Sequence, residues 1–97
     1  MNKVLVAGRI SRKGVLAYSG EGIAFLDLVL AIPAKEKMNR TEYLPILLKG
    51  NAAEECEGVD IGSDVEVEGY LEMETTVGND AKPSEKIKLF GEKIVEI

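Results

Sequence analysis

Histidine and tryptophan are absent from this sequence, and cysteine occurs once, at Cys56. Without histidine the chain lacks the commonest general base and metal ligand, which argues against an enzyme and against a metal site. One cysteine excludes an internal disulfide framework and is typical of the reducing cytoplasm. No apolar run reaches the roughly 18 residues of a membrane helix, and the start lacks a signal-peptide cleavage site. We therefore expect a cytoplasmic protein with no cofactor and no membrane contact.

Length and composition are those of a folded protein, and the charge is unevenly distributed. The 97 residues predict one domain over 1–97, with 45% hydrophobic and 30% charged residues. Residues 1–50 carry eight basic and four acidic side chains, and residues 51–97 carry four basic and thirteen acidic ones. This division predicts one basic and one acidic face, although ordinary surface charge that segregates along the chain would look the same.

Most of the sequence alternates with the period of a β-strand. A first strand, Lys3 to Arg9, is expected to bend or bulge at SRKG and to continue into VLAY. Ile23 to Ile32 is long, nearly continuous and rich in β-formers, so it predicts a central strand with Leu26, Leu28 and Leu30 on one face. In Thr41 to Lys49, Pro45 cannot donate a ladder hydrogen bond, which predicts a local edge or a bulge.

A short helix and two more strands complete the pattern. Asn51 is a good N-cap, and Glu54 completes a capping box, so a helix is predicted to about Glu57. SDVEVEGYLEME predicts a strand with Val65, Val67, Gly69, Leu71 and Met73 inside, and Thr75 to Ser84 predicts a loop. Glu85 to Ile97 predicts a last strand with a kink at Gly91. A helix between strands three and four is the element order of the OB-fold, an all-β, five-stranded Greek-key barrel.

Four segments resemble the core domain of bacterial and phage single-stranded DNA-binding proteins. They are NKVLVAGRI, YSGEGIAFLDLVLAI, TEYLPILLKGNAAEE and GSDVEVEGYL, in the family's order and spacing. The resemblance implies a module that stacks unpaired bases on exposed aromatics and contacts phosphates with Lys and Arg. It also implies a homo-oligomer, a dimer or tetramer, in which the first strand, Asn2 to Arg9, pairs with its copy. The resemblance further implies a nucleoid-associated protein, with replication or repair proteins as expected partners.

The resemblance and the residue types together nominate an interface. Tyr43 falls where the family commonly has a stacking tryptophan, and Arg9 matches a position that is commonly polar or basic. Pro45 and Lys49 depart from the family, which often has a basic residue and an aromatic there. Glu72 and Glu74 point outward, and Lys86 and Lys88 on the neighbouring last strand are expected to pair with these carboxylates. The nucleic-acid-binding candidates are Arg9, Arg12, Lys13, Phe25, Lys35, Lys37, Arg40, Tyr43, Lys49 and Tyr70; ordinary exposed strand residues, core filling and solvated loops are the alternatives.

Two functions are consistent with this pattern. One is sequence-independent binding of single-stranded DNA in replication, recombination or repair. The alternative is a primosome-type or other replication accessory OB-fold that acts mainly through protein–protein contacts, using the acidic second half. Saturable binding of thymidine oligomers distinguishes the two hypotheses.

Overall fold

The computed structural model describes residues 1–36, 39–77 and 83–97. It contains six strands and one helix within these ranges. In chain order they are β1 (Val4–Lys13), β2 (Ala17–Tyr18), β3 (Ala24–Pro33), β4 (Thr41–Lys49), α1 (Asn51–Glu57), β5 (Asp64–Val77) and β6 (Pro83–Glu96).

The strands close into a barrel. The sheet order is β1-β5-β6-β4-β3-β2, and an additional β1–β3 pairing joins β1 to β3, so five strands form the closed wall. The short β2 pairs with the start of β3. All pairs are antiparallel except β4 with β6, which pair in parallel through Leu47 and Leu48. With α1 between β4 and β5, this architecture confirms the predicted OB-fold.

Alternate residues of the strands fill the barrel. Leu26, Leu28 and Leu30 of β3 are buried, as predicted, and they face Ile46 and Leu48 of β4 across the pair. Complete burial of each such side chain contributes about 1.5–3 kcal/mol. Because buried and outward residues alternate along each strand, the register that builds this core also fixes which side chains line the outside.

The predicted bulge in SRKG is present, and it lies at Ser11. The β1–β3 register shifts between Ile10 and Arg12, and the Ser11 hydroxyl donates to the Val29 carbonyl at 3.1 Å. The strand then continues through Lys13. The bend lets the first part of β1 pair with β5 and the second part with β3.

The predicted cap of α1 is wrong. Asn51 is the first helical residue, and the N-cap is Gly50, with φ of 68° and no side-chain capping hydrogen bond. Gly50 reverses the chain in the left-handed region, where glycine has no steric penalty, while its N–H donates to the Ala24 carbonyl at 2.8 Å. The helix buries Ala52, Ala53 and Cys56 against one end of the barrel.

β5 and β6 form a hairpin that is longer than the sequence predicts. Both strands extend into the segment expected to be a loop, and the bulge between Glu68 and Gly69 agrees with a kink at Gly91. The expectation that Leu71 and Met73 are inside is wrong, since they are 40% and 58% exposed. They lie on the same strand face as the buried Val65, but beyond the end of the barrel wall.

In the described part of the chain, no helix is long and apolar enough to cross a membrane. The described residues also include no group of three or more His, Cys, Asp or Glu side chains arranged to hold a metal ion.

Candidate nucleic-acid interface

The outward sides of β1, β3 and β4 form one continuous surface, which we call the three-strand face. The register that builds the core also places the outward side chains in rows that run across the strands. Neighbouring strands lie about 4.8 Å apart, so the side chains of one row are adjacent. The rows are Arg9–Ala31–Tyr43 and Arg12–Val29–Pro45, followed by the β3–β4 pairs Asp27–Leu47 and Phe25–Lys49. Five of the ten predicted binding residues therefore lie on this face, although they come from three separate parts of the sequence.

Two aromatic side chains stand at opposite ends of the three-strand face. Tyr43 of β4 is 65% exposed, beside the small Ala31, so one side of its ring is open to a base. Phe25 of β3 is half-buried and lies opposite Lys49. Aromatic rings that are held by a strand and open to water are the surfaces on which OB-folds stack bases.

The cations of the face differ in their contacts. The Arg9 guanidinium lies 3.5 Å from the Asp64 carboxylate, in an exposed pair. Exposed pairs of this kind contribute only about 0–1 kcal/mol, so a phosphate can replace the carboxylate at little cost. Arg12 and Lys49 form no ion pair with any described side chain.

Lys13 points to the other side of the strand. Its register partner is the buried Leu28, and its ammonium donates to the carbonyls of Cys56, Glu57 and Val59 at 3.1, 2.9 and 2.7 Å. A cation at a helix C-terminus satisfies carbonyls that have no helical partner and complements the helix dipole. Phosphate contact by Lys13 remains a prediction, and a phosphate would compete with these three carbonyls.

The loop between β3 and β4 carries the remaining predicted cations. Lys35 is exposed just after β3, and Arg40 precedes β4 with its guanidinium 3.5 Å from the Glu42 carboxylate. The Ala34 N–H donates to the Arg40 carbonyl at 2.9 Å, which ties the two ends of the loop together. Lys37 lies outside the described residues. Lys35 and Arg40 therefore flank the Arg9 and Tyr43 end of the face.

Tyr70 lies beside the three-strand face and stacks on Phe90, a residue that was not among the predicted binding candidates. The rings of Tyr70 and Phe90 stack with centroids 5.3 Å apart and planes inclined by 15°. Phe90 is in turn the register partner of Leu47 on β4, so the pair continues the three-strand face onto the hairpin. The alternation of Lys86, Lys88 and Phe90 along β6 is the signal that could have revealed it.

The expected ion pairs of Glu72 and Glu74 do not form among the described side chains, although the lysines lie across from them. Glu72 is the register partner of Lys88, and Glu74 is the register partner of Lys86. Within the described ranges neither lysine forms an ion pair, and the Lys88 ammonium lies 5.5 Å from the centre of the Phe90 ring. Lys88 is therefore available beside the Phe90 ring, where a cation–π contact orients it.

Two groups away from the three-strand face have shifted pKa values. A hydrogen bond from Lys3, assisted by the charges of Lys3 and Lys93, lowers the pKa of Glu68. Burial raises the pKa of the Cys56 thiol despite the charge of Lys13. A thiol that is buried and protonated is a poor nucleophile, so Cys56 acts as a core residue under α1.

A closed β-barrel with exposed aromatics and cations on one outer face belongs to the class of nucleic-acid-binding OB-folds. The model of the single-strand binding protein family matches residues 1–96. The chain therefore belongs to the single-strand binding protein family, which implies binding of single-stranded DNA. A search of curated proteins gives no match to this chain.

Proposed function

We propose that the three-strand face holds single-stranded DNA without strict sequence selection, in replication, recombination or repair. The observation that carries the proposal is the presence of Tyr43, Arg9 and Arg12 in adjacent rows of one outward surface. Bases stack on Tyr43 and Phe25, and the strand continues towards the stacked rings of the hairpin.

The phosphates are contacted by cations at the margins of the aromatic rows. Arg9 and Arg12 lie on β1, beside the rows that contain Tyr43 and Pro45, and Lys49 lies beside Phe25 at the far end. Of the two positions that depart from the family here, Lys49 has a cation in place of a stacking aromatic, and Pro45 lacks the basic group that the family often has. We therefore expect binding that depends more on phosphate contacts, and so more on salt, than stacking alone would give.

A salt series with a fluorescently labelled thymidine oligomer tests this function. Each phosphate contact with a single strand contributes a slope of about −0.7 to a plot of log affinity against log salt, so the three cations of the face give about −2. Arg12→Gln should make the slope less steep by about 0.7. Fluorescence anisotropy at each salt concentration measures both quantities.

The matched control is Lys93→Gln, since Lys93 contacts Glu68 at 3.5 Å and lies outside the three-strand face. Its slope should equal that of the unmodified protein. A thymidine oligomer that fails to saturate the protein at low salt would overturn the proposal. It would favour the alternative, a replication accessory module that docks on proteins through its carboxylates.

We further propose that the chain forms a homo-oligomer through β1. Residues Val4 to Arg9 pair with β5, whereas pairing with β3 begins only at Arg9. The opposite edge of β1 before Arg9 therefore has no strand partner among the described residues, and such edges readily accept another strand. The Asn2 side chain exchanges two hydrogen bonds with the Leu71 backbone, at 2.6 and 2.9 Å, which places the start of β1 beside Leu71 and the exposed apolar residues of the hairpin.

Sedimentation equilibrium tests the oligomer. The unmodified chain should sediment as a dimer or tetramer, and Met73→Glu should shift it towards the monomer, because Met73 is 58% exposed on the apolar side of the hairpin. Ile61→Glu is the control, since Ile61 is 62% exposed in the turn before β5. A monomeric unmodified chain, or equal effects of the two substitutions, would contradict this assignment.

A further inference from the structure

One carboxylate lies among the side chains of the three-strand face. Of the ten residues in its rows, only Asp27 is acidic, and it stands between the Phe25 and Val29 positions of β3, opposite Leu47. An acidic group in a surface that contacts phosphates repels them and so lowers affinity. Neither phosphate contact nor stacking uses Asp27, so any part that it takes in binding depends on its acceptor oxygens.

The surroundings of Asp27 are those of a recognition group. Asp27 and Pro45 line both of two neighbouring depressions, with volumes of about 360 and 200 Å³, and so form the ridge between them. Arg12 lines the first depression, and Lys86 and Lys88 line the second together with Glu74. A base that rests against this ridge would have the carboxylate at its edge, while its phosphate reaches a cation on either side.

The Asp27 carboxylate is exposed and has no partner among the described side chains. No described lysine or arginine forms an ion pair with it, and no described hydrogen bond ends on its side-chain oxygens. The backbone of the same residue is fixed, since its carbonyl accepts from the Gly14 N–H at 2.8 Å. A rigid backbone that presents two free acceptor oxygens can select a ligand by its donors.

We propose that Asp27 accepts hydrogen bonds from the edges of bound bases and gives the face a preference for guanine over thymine. This inference rests on the proposed DNA-binding function and adds a base preference to it. Guanine offers two adjacent donors, N1–H and the N2 amino group, which match the two oxygens of a carboxylate. Thymine offers one N–H between two carbonyl oxygens, and these repel the second carboxylate oxygen. Cytosine and adenine, with one amino group each, are intermediate.

Competition binding with three oligomers tests the preference. They are a thymidine oligomer and the same oligomer with every third thymine replaced by guanine or by hypoxanthine, which lacks the N2 amino group. Lithium buffer disfavours guanine quadruplexes. The unmodified protein should bind the guanine oligomer about fivefold or more tightly than the thymidine oligomer, with hypoxanthine between them. Asp27→Asn should remove this order and bind the thymidine oligomer more tightly, because a negative charge is lost.

Asp60→Asn is the matched control, because Asp60 is an exposed carboxylate in the turn before β5. It should keep the order of the three oligomers. Equal affinities for the three in the unmodified protein, or an order that survives Asp27→Asn, would overturn the inference and leave the proposed function standing. If none of the oligomers binds saturably, the proposed function itself fails.

Discussion

Gly69→Ala is expected to lower the free energy of unfolding by at least about 3 kcal/mol, the upper end for overpacking a core. Gly69 is buried in β5 at the bulge, where its Cα faces the backbone of Phe90 and Gly91 on β6. A methyl group at this position would overlap the Phe90 carbonyl oxygen and lie 2.9 Å from the Gly91 Cα. These are backbone atoms of a paired strand, so they cannot rotate away as a side chain would.

Urea unfolding followed by circular dichroism measures this loss. Gly20→Ala is the control, because a methyl group on Gly20, in the turn after β2, has no atom within 4 Å. Its stability should stay within about 0.5 kcal/mol of the unmodified protein. A Gly69→Ala midpoint close to that of Gly20→Ala would show that the bulge can shift to accommodate the methyl group.

The same contact connects the barrel closure with the candidate interface. The Phe90 carbonyl lies against Gly69, while the Phe90 ring stacks on Tyr70 and its register partner on β4 is Leu47. If a side chain larger than that of Gly69 pushed the β6 backbone away, the Tyr70–Phe90 pair would therefore move relative to the three-strand face. We expect bulge variants that remain folded to lose DNA affinity as well as stability.

Local patterns in the sequence predicted much of the fold and of the face. The strand Thr41–Lys49 has the predicted bounds, and Tyr43 and Lys49 lie on its outward side because a period of two assigns alternate residues to opposite faces. Pro45 has no pairing with β6, which agrees with a local edge. These features depend on residues within one strand and its turns, so one sequence is sufficient to find them.

The errors concern features that depend on distant parts of the chain. The alternation of residues in β5 predicted which face of the strand Leu71 lies on. It did not predict where the barrel wall ends, so the sequence could not show that Leu71 is exposed. Lys13 contacts carbonyls that are 43 to 46 residues away, and no local pattern indicates this. The helix cap depends on Gly50, whose N–H bonds to Ala24 of another strand, and not on the polar side chain that follows it.

Tyr43→Ala is expected to have the largest effect of any single side-chain truncation on DNA affinity. Loss of one stacked base costs roughly 1–3 kcal/mol, which is about a 5- to 150-fold weaker affinity. The effect should be near the upper end, because Pro45 and Lys49 leave Tyr43 as the most exposed ring on the three-strand face. Anisotropy titrations with a thymidine oligomer at one low salt concentration measure it.

Tyr18→Ala is the matched control, since Tyr18 is 57% exposed but its register partner is the buried Ala24, so it lies off the three-strand face. It should leave affinity unchanged, and Tyr43→Phe should retain most of it, because a phenyl ring stacks as well as a phenol. The slope of log affinity against log salt should be the same in all three variants, since the phosphate contacts remain. If Tyr43→Ala and Tyr18→Ala weaken binding equally, or if the Tyr43→Ala loss appears only as a change of slope, stacking on Tyr43 does not hold the strand.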